Sequence, residues 1–181
     1  MKKKSRRVLV IIGFLLCLCI GVLIVAFHSM RLEKIGYKNG EYKLTETHIK
    51  IIESECAGIT NIEDLIDKCG KIVCNQLTFK FRNDLNHGEA NCVGYAKFHA
   101  AVLNYAFRIN NLSHKARPTY GKAYLCGIDL HPLFKSIVPK KYEPFFKDHD
   151  YTEIDLGDEI LYVDTSIQDL LSYKYFVRQR R

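Results

Sequence analysis

The body of the chain lacks an excess of charge of either sign. The 181 residues carry a net charge of +7, but five of the basic residues lie within positions 1–7 and three within 178–181. Removing these eight from the 27 basic residues leaves 19, against 20 acidic residues. A nucleic-acid-binding surface needs basic side chains that contact phosphates, so this near-neutral body predicts no nucleic-acid partner.

The cysteines and histidines also lack the spacings of common metal sites. The sequence contains no C-x-x-C pair and no His-x-x-x-His pair, and no segment has the pattern of a calcium-binding loop. These spacings allow neighbouring side chains to meet at one ion. We therefore expect neither a metal ion nor a cofactor.

Residues 8–27 contain no charged side chain. A helix of this length spans about 30 Å, the thickness of the hydrocarbon core of a bilayer. The basic cluster that precedes it predicts a cytoplasmic N-terminus, with the rest of the chain outside the cytoplasm. The alternative is a cleaved signal peptide, which has a shorter apolar run and a small-residue cleavage site. Residues 25–28 offer no such site, which favours a retained single-pass anchor.

The chain therefore divides into five parts. We expect a cytoplasmic basic segment at 1–7, a transmembrane helix at 8–27, a linker at 28–44, one domain at 45–177 and a basic tail at 178–181.

Within the domain, helices come first and strands afterwards. A capping-box pattern at Thr60–Glu63 predicts a helix over about 61–75, and apolar residues at helical spacing predict a nearly buried helix over about 91–108. Alternating patterns predict strands at 77–81, 115–120 and 122–128, and a short helix is expected at 129–138. Residues 149–154 and 160–163 flank a Gly-Asp turn and predict a hairpin. This order is typical of an α+β fold with an antiparallel sheet.

Three residues of this arrangement form a candidate catalytic site. Cys92 begins the second helix, where the helix dipole and backbone N–H groups favour a thiolate and can stabilise an oxyanion. A hairpin turning at 157–158 places His149 near residue 165, so that Asp164 can orient the imidazole. Nucleophile, base and orienting carboxylate together form a catalytic triad.

The same residues carry a resemblance to a known family. The segment Glu89–Ala96, followed by an apolar helix, resembles the nucleophile segment of transglutaminase-like cysteine enzymes. His149–Glu153 is similar to the family's His-Ala-Trp-x-Glu strand, and 163–166 is similar to its Val-x-Asp-Pro-Thr ending. The resemblance covers residues 60–167 and implies a papain-like fold with Cys92 as nucleophile, His149 as general base and acid, and Asp164 as orienting carboxylate.

The chain departs from that family in its aromatic residues. It contains no tryptophan, so the tryptophan that supports the oxyanion in animal transglutaminases has no counterpart, and Tyr151 stands in the His-Ala-Trp strand. This departure argues against protein crosslinking more than against thiol catalysis. Hydrolysis is favoured because water is abundant and the sequence shows no feature for a second substrate. We expect a membrane-anchored thiol enzyme that cleaves an amide or peptide bond of a protein or peptide substrate. The alternatives are a crosslinking acyltransferase, a cell-wall endopeptidase and a non-catalytic binding domain of an envelope complex on the same fold.

Other polar and aromatic residues are weaker candidates. We expect His87 to lie in a solvated loop. His99 lies about two helical turns beyond Cys92, out of reach of the Cys92 thiol. Gln76 remains a candidate oxyanion donor. A set of aromatic residues remains a candidate substrate groove: Tyr120, Tyr124, Tyr142, Phe145 and Phe146. His114 and His131 lack partners at ligand spacing. Disulfides among Cys56, Cys69, Cys74 and Cys126 also remain open.

Overall fold

A computed structural model describes residue 21 and residues 31–137, 139–140, 147–171 and 176–180. The predicted cytoplasmic segment and the predicted membrane span therefore lie outside the described residues, apart from residue 21. No helix within the described part of the chain is both long enough and apolar enough to span a bilayer.

The described chain is α+β, as predicted. Its helices are α1 (Glu46–Cys56), α2 (Ile62–Gln76), α3 (Cys92–Ile109), α4 (Leu130–Ile137) and α5 (Thr165–Leu171), with a 3-10 turn at Leu85–His87. Its strands are β1 (Arg31–Tyr37), β2 (Thr78–Phe79), β3 (Glu89–Ala90), β4 (Lys115–Leu125), β5 (Ile128–Asp129), β6 (His149–Asp155), β7 (Glu159–Val163) and β8 (Phe176–Arg180).

The main sheet is antiparallel, with strand order β1-β4-β6-β7-β8 and β5 paired to β4. Helix α3 packs against β4 and β6 on one side and against α1 and α2 on the other. Its buried residues include Tyr95, Phe98, Leu103 and Phe107. The nearly buried helix expected from its spacing of apolar residues is therefore confirmed, and its first residue, Cys92, lies at the end of the sheet where β6 begins.

The fold extends beyond both boundaries of the predicted domain. Residues 31–37, which are predicted to belong to the linker at 28–44, form β1 and hydrogen-bond to β4 as an edge strand. Residues 178–180, assigned to the basic tail, belong to β8. Arg178 forms ion pairs with Glu63 and Glu159, so its charge is paired within the fold.

The capping-box prediction for α2 was wrong by one residue. Asn61 is the cap, and its side-chain oxygen accepts hydrogen bonds from the N–H groups of Glu63 and Asp64. Asparagine satisfies two helix-start donors there, so the helix begins at Ile62. Helix α1 was not predicted. Its own capping box joins Thr45 and His48 in both directions.

The predicted break between two strands at Gly121 is also absent, since β4 runs unbroken from Lys115 to Leu125. Gly121 serves a close approach instead. A Cβ atom there would lie 2.0 Å from the Glu33 carbonyl oxygen and 2.6 Å from the Tyr151 hydroxyl. The glycine therefore lets β1 pack tightly onto β4, which fixes the residues that follow β1 near the start of β6.

The predicted β6–β7 hairpin is present, with its register shifted by one residue. Thr152 pairs with Val163 and Asp155 pairs with Ile160. The ladder between these strands ends at Thr152, and β6 continues to His149 through its pairing with β4, where His149 lies opposite Gly121. The start of β6 thus lies against β4 alone, which leaves room for Asp164 beyond the end of β7.

Candidate active site

The loop before α3 holds the start of that helix in place. The Asn91 side chain caps α3 by accepting a hydrogen bond from the Val93 N–H, and the Asn91 N–H donates to Asn83 at 2.8 Å. Gly94 fits against this loop because a Cβ atom there would lie 2.6 Å from the Asn83 side-chain oxygen. These contacts position Cys92, which is partly exposed, as the first residue of α3.

The cap also narrows the choice of oxyanion donors. The Val93 N–H donates to Asn91, so it is already engaged. The Cys92 N–H remains as the backbone donor nearest the thiol in the first turn of α3. Gln76, a candidate donor in the sequence analysis, ends α2, and within the described residues no hydrogen bond links its side chain to the site.

His149 and Asp164 form the closest polar contact of the site. His149 Nε2 hydrogen-bonds Asp164 Oδ2. The Asp164 side chain is 1% exposed, and its Oδ1 accepts hydrogen bonds from the Ser166 N–H at 3.0 Å, the Ser166 hydroxyl at 2.6 Å and the Ile167 N–H at 3.0 Å. Asp164 is therefore held rigidly at the start of α5, and it fixes the orientation of the imidazole.

The charges of His149 and Asp164 stabilise each other. Burial opposes ionisation of Asp164, but the His149 charge and the hydrogen bonds from His149, Ser166 and Ile167 outweigh it and lower the pKa of the carboxyl. Burial likewise opposes protonation of His149, but Asp164 outweighs it, with a smaller contribution from Cys92, and raises the pKa of the imidazole well above its usual value. The geometry thus favours an imidazolium paired with a carboxylate.

Cys92 lies next to this pair. Its side chain is near enough to His149 to contribute to the raised pKa of the imidazole. Because Nε2 faces Asp164, the second ring nitrogen, Nδ1, is the one available to the thiol. The structure therefore joins His149 to Asp164 directly and places the Cys92 thiol against Asp150, the residue that follows His149 in β6.

A fourth residue, Asp150, was not predicted. The Cys92 thiol donates to Asp150 Oδ2 at 3.8 Å, and Asp150 is 2% exposed. Lys38 Nζ lies 3.4 Å from Asp150 Oδ1 and 3.8 Å from Asp148, and it stands over the Tyr120 ring at 4.7 Å. The one available signal was the departure from the resembled family, because Asp150 occupies the alanine position of the His-Ala-Trp pattern.

Asp150 differs from Asp164 in the direction of its pKa shift. Burial raises the pKa of the Asp150 carboxyl, and the nearby Lys38 only partly offsets this effect. Its Oδ1 accepts no aligned hydrogen bond from the described residues, although Lys38 lies within ion-pairing distance. The thiol thus stands between a strongly paired imidazole and a poorly satisfied carboxyl.

The other histidines lie away from the thiol. His99 is fully buried, its Nδ1 hydrogen-bonds the Thr152 hydroxyl at 3.0 Å, and burial lowers its pKa to about 3, so it remains neutral within the core. His87 pairs with Asp84 on an exposed loop, as expected. His131 contacts Asp129, and His114 packs edge-on against Phe107.

The predicted aromatic groove is only partly described. Tyr120 lies at the site beneath Lys38. Tyr124, four residues further along β4, instead packs against Arg31 of β1. Tyr142, Phe145 and Phe146 fall outside the described residues.

Within the described residues, no disulfide joins the five domain cysteines. Cys56 and Cys69 are buried with their sulfur atoms 3.9 Å apart, longer than a disulfide bond. Burial raises the pKa of Cys74 to about 12. Cys126 is exposed at the turn after β4.

Within the described residues, no group of three or more His, Cys, Asp or Glu side chains is arranged to hold a metal ion. No family model, no curated protein and no solved structure matches the chain.

Proposed function

We propose that the protein is a thiol enzyme that hydrolyses an amide bond of a protein or peptide substrate. The observation that carries this proposal is the hydrogen bond between His149 and the fully buried Asp164, with the Cys92 thiol at the start of α3 in contact with Asp150, the next residue of β6. A helix-start thiol, an imidazole and an orienting carboxylate form the set that nucleophilic acyl transfer requires.

The reaction divides into two acyl transfers. In the reactive form of the site, the Cys92 proton resides on His149, and the Cys92 thiolate attacks the carbonyl carbon of the substrate. The oxyanion that forms accepts a hydrogen bond from the Cys92 N–H. The His149 imidazolium then protonates the leaving amine, the C–N bond breaks, and an acyl thioester remains on Cys92.

Water hydrolyses the acyl thioester on Cys92. The neutral His149 takes a proton from water as the water oxygen attacks the thioester carbonyl. The C–S bond breaks, the carboxylic acid leaves, and Cys92 again carries a thiolate beside the imidazolium. Asp164 stabilises the imidazolium in both halves of the reaction and keeps Nε2 engaged, so that Nδ1 faces the reacting atoms.

A papain-like, transglutaminase-like architecture is part of the proposal. Its support is the arrangement of parts: a buried helix begins with Cys92, packs on an antiparallel sheet, and meets His149 and Asp164 at neighbouring strand ends. The membrane anchor at 8–27 and the extracytoplasmic location are proposed from sequence. Retention of the full-length protein in washed membranes, with residues 31–180 accessible to added protease from outside, tests both.

The central test is labelling by iodoacetamide, followed by peptide mass spectrometry. We expect Cys92 to be alkylated faster than Cys126, although Cys126 is the more exposed thiol. Replacing Cys92 by Ala should abolish both this labelling and amide hydrolysis. Cys126→Ala is the matched control, since it removes an exposed thiol and should leave hydrolysis unchanged. Full hydrolysis by Cys92→Ala would overturn the proposal.

One observation favours a second candidate, a non-catalytic binding domain. The Cys92 thiol donates to the buried Asp150, and a carboxylate beside a sulfur atom disfavours the thiolate. This candidate predicts that Cys92 is alkylated more slowly than Cys126 at every pH, and that His149→Ala leaves the rate unchanged. The enzyme predicts a slower alkylation of Cys92 in that variant.

A further inference from the structure

The Lys38 ammonium group occupies a place built from one aromatic ring and two carboxylates. Its Nζ lies over the Tyr120 ring, 3.4 Å from Asp150 and 3.8 Å from Asp148. An aromatic face together with anionic oxygens is the usual environment of a bound ammonium group. The chain supplies this ammonium itself, from the residue after β1.

This place adjoins the nucleophile. The Asp150 carboxyl joins the two: its Oδ2 accepts from the Cys92 thiol at 3.8 Å, and its Oδ1 faces Lys38. A group bound where Lys38 Nζ lies is therefore separated from the sulfur atom by a single carboxyl group. On a substrate, that distance corresponds to a group a few bonds from the carbonyl that reacts.

The contact between Lys38 and Asp150 is incomplete. Asp150 is almost fully buried, yet its Oδ1 accepts no aligned hydrogen bond from the described residues. Lys38 shares its charge with Asp148 and keeps 28% of its side chain exposed. A partly exposed ion pair contributes little free energy, so an ammonium group with better alignment can replace Lys38 at small cost.

We propose that Asp150, Asp148 and Tyr120 form a subsite for an ammonium group of the acyl substrate, which Lys38 fills when no substrate is bound. This proposal rests on the proposed function as a thiol enzyme, and it specifies the class of substrate of that enzyme. An ammonium group paired with carboxylates has no free lone pair, so it is recognised and does not attack the thioester. The substrate is therefore an amide with a protonated primary amine close to the bond that breaks.

Two reagents that differ only in charge test the subsite without a known substrate. Aminoethyl methanethiosulfonate carries an ammonium group, and ethyl methanethiosulfonate is neutral. In both reactions the cysteine sulfur attacks the sulfenyl sulfur, a disulfide forms, methanesulfinate leaves with the electron pair, and the thiol proton passes to solvent. The cationic-to-neutral rate ratio at Cys92, divided by the same ratio at Cys126, reports a local preference for the ammonium group.

We expect this normalised ratio to be about tenfold above one for the unaltered protein, since a charge-assisted hydrogen bond contributes at least that factor. Asp150→Asn should bring it to about one, and Lys38→Gln should increase it by removing the internal competitor. Asp158→Asn is the matched control, because it removes one carboxylate at the exposed β6–β7 turn and should change nothing.

Two results would overturn the subsite and can be told apart. If Cys92 reacts with both reagents and Asp150→Asn leaves the normalised ratio unchanged, the subsite is wrong and the thiol enzyme stands. If Cys92 reacts with neither reagent while Cys126 reacts with both, the thiol enzyme is wrong, and the subsite falls with it. If Asp150→Asn does not fold, Lys38→Gln serves as the second variant, because the Lys38 side chain is 28% exposed. An unchanged normalised ratio in Lys38→Gln would also overturn the subsite.

Discussion

The candidate site holds two buried carboxyl groups, one on each side of the thiol, and they behave in opposite ways. Asp164 is 1% exposed and Asp150 is 2% exposed. Asp164 has four hydrogen bonds and a lowered pKa, whereas Asp150 has a distant thiol, a misaligned lysine and a raised pKa. Nearly equal burial thus accompanies opposite pKa shifts, because hydrogen bonds to the ionised form offset the cost of burial at Asp164 and not at Asp150.

The different hydrogen bonding of Asp164 and Asp150 suits the two carboxyl groups to different roles. A carboxylate whose oxygens are saturated by the fold is rigid and suits the orientation of an imidazole. A carboxyl with an unsatisfied oxygen retains binding capacity for a group that arrives from outside. Removing each carboxylate should therefore damage different properties of the protein.

The largest expected effect is on catalysis. Asp164→Asn should lower kcat by about a thousandfold or more, because the amide no longer stabilises the imidazolium and favours the wrong ring tautomer. Steady-state hydrolysis of an amide substrate measures this loss. Asp150→Asn should act mainly on KM for ammonium-bearing substrates. Equal losses of kcat in the two variants would remove the distinction between the two sides.

A smaller contrast is expected in stability. Asp164→Ala should lower the free energy of unfolding by about 3 kcal/mol, since it leaves the His149 charge and the Ser166 and Ile167 donors without their partner. Asp150→Ala should change it by less than about 1 kcal/mol, because Lys38 is partly exposed and can be hydrated. Urea unfolding followed by circular dichroism measures both, as the chain contains no tryptophan. A large loss in Asp150→Ala would show that its ion pair is structural.

The two sides also differ in how far the sequence predicts them. Cys92, His149 and Asp164 follow from local signals: a helix start, an alternating strand and a turn whose position sets the pairing. A register error of one residue did not separate His149 from Asp164, because both lie beyond the end of the β6–β7 ladder.

The Asp150 side depends on a contact that no local pattern indicates. Lys38 reaches Asp150 because β1 packs on β4, and that packing depends on Gly121, which in isolation resembles a strand break. Lys38 and Asp150 are more than a hundred positions apart in the sequence, so the spacing of apolar residues predicts a linker where β1 lies. The proposed ammonium subsite is accordingly the part of the site that depends on tertiary packing and has no signal in the local sequence pattern.

The smallest effect, and the sharpest test of the comparison, is the pH dependence of stability. Unfolded aspartates titrate near pH 3.9. Asp164 has a lower folded pKa, so its stabilisation is present above about pH 3.9 and is lost as the pH falls through the folded pKa. Asp150 has a higher folded pKa, so its stabilisation is present below about pH 3.9 and is lost as the pH rises through the folded pKa.

The stability difference between the unaltered protein and each Asn variant should therefore change with opposite slopes. For Asp164→Asn it should grow as the pH rises from about 2 to 4, and for Asp150→Asn it should shrink as the pH rises above about 4, each by at most about 1.4 kcal/mol per pH unit. In the unaltered protein, His149 is protonated in both the folded and the unfolded state below about pH 5.5, and the other groups that face Asp150 are Lys38, Asp148 and Cys92. Slopes of the same sign would mean that the two carboxyls share one environment, and the division of the site into an orienting side and a binding side would fail.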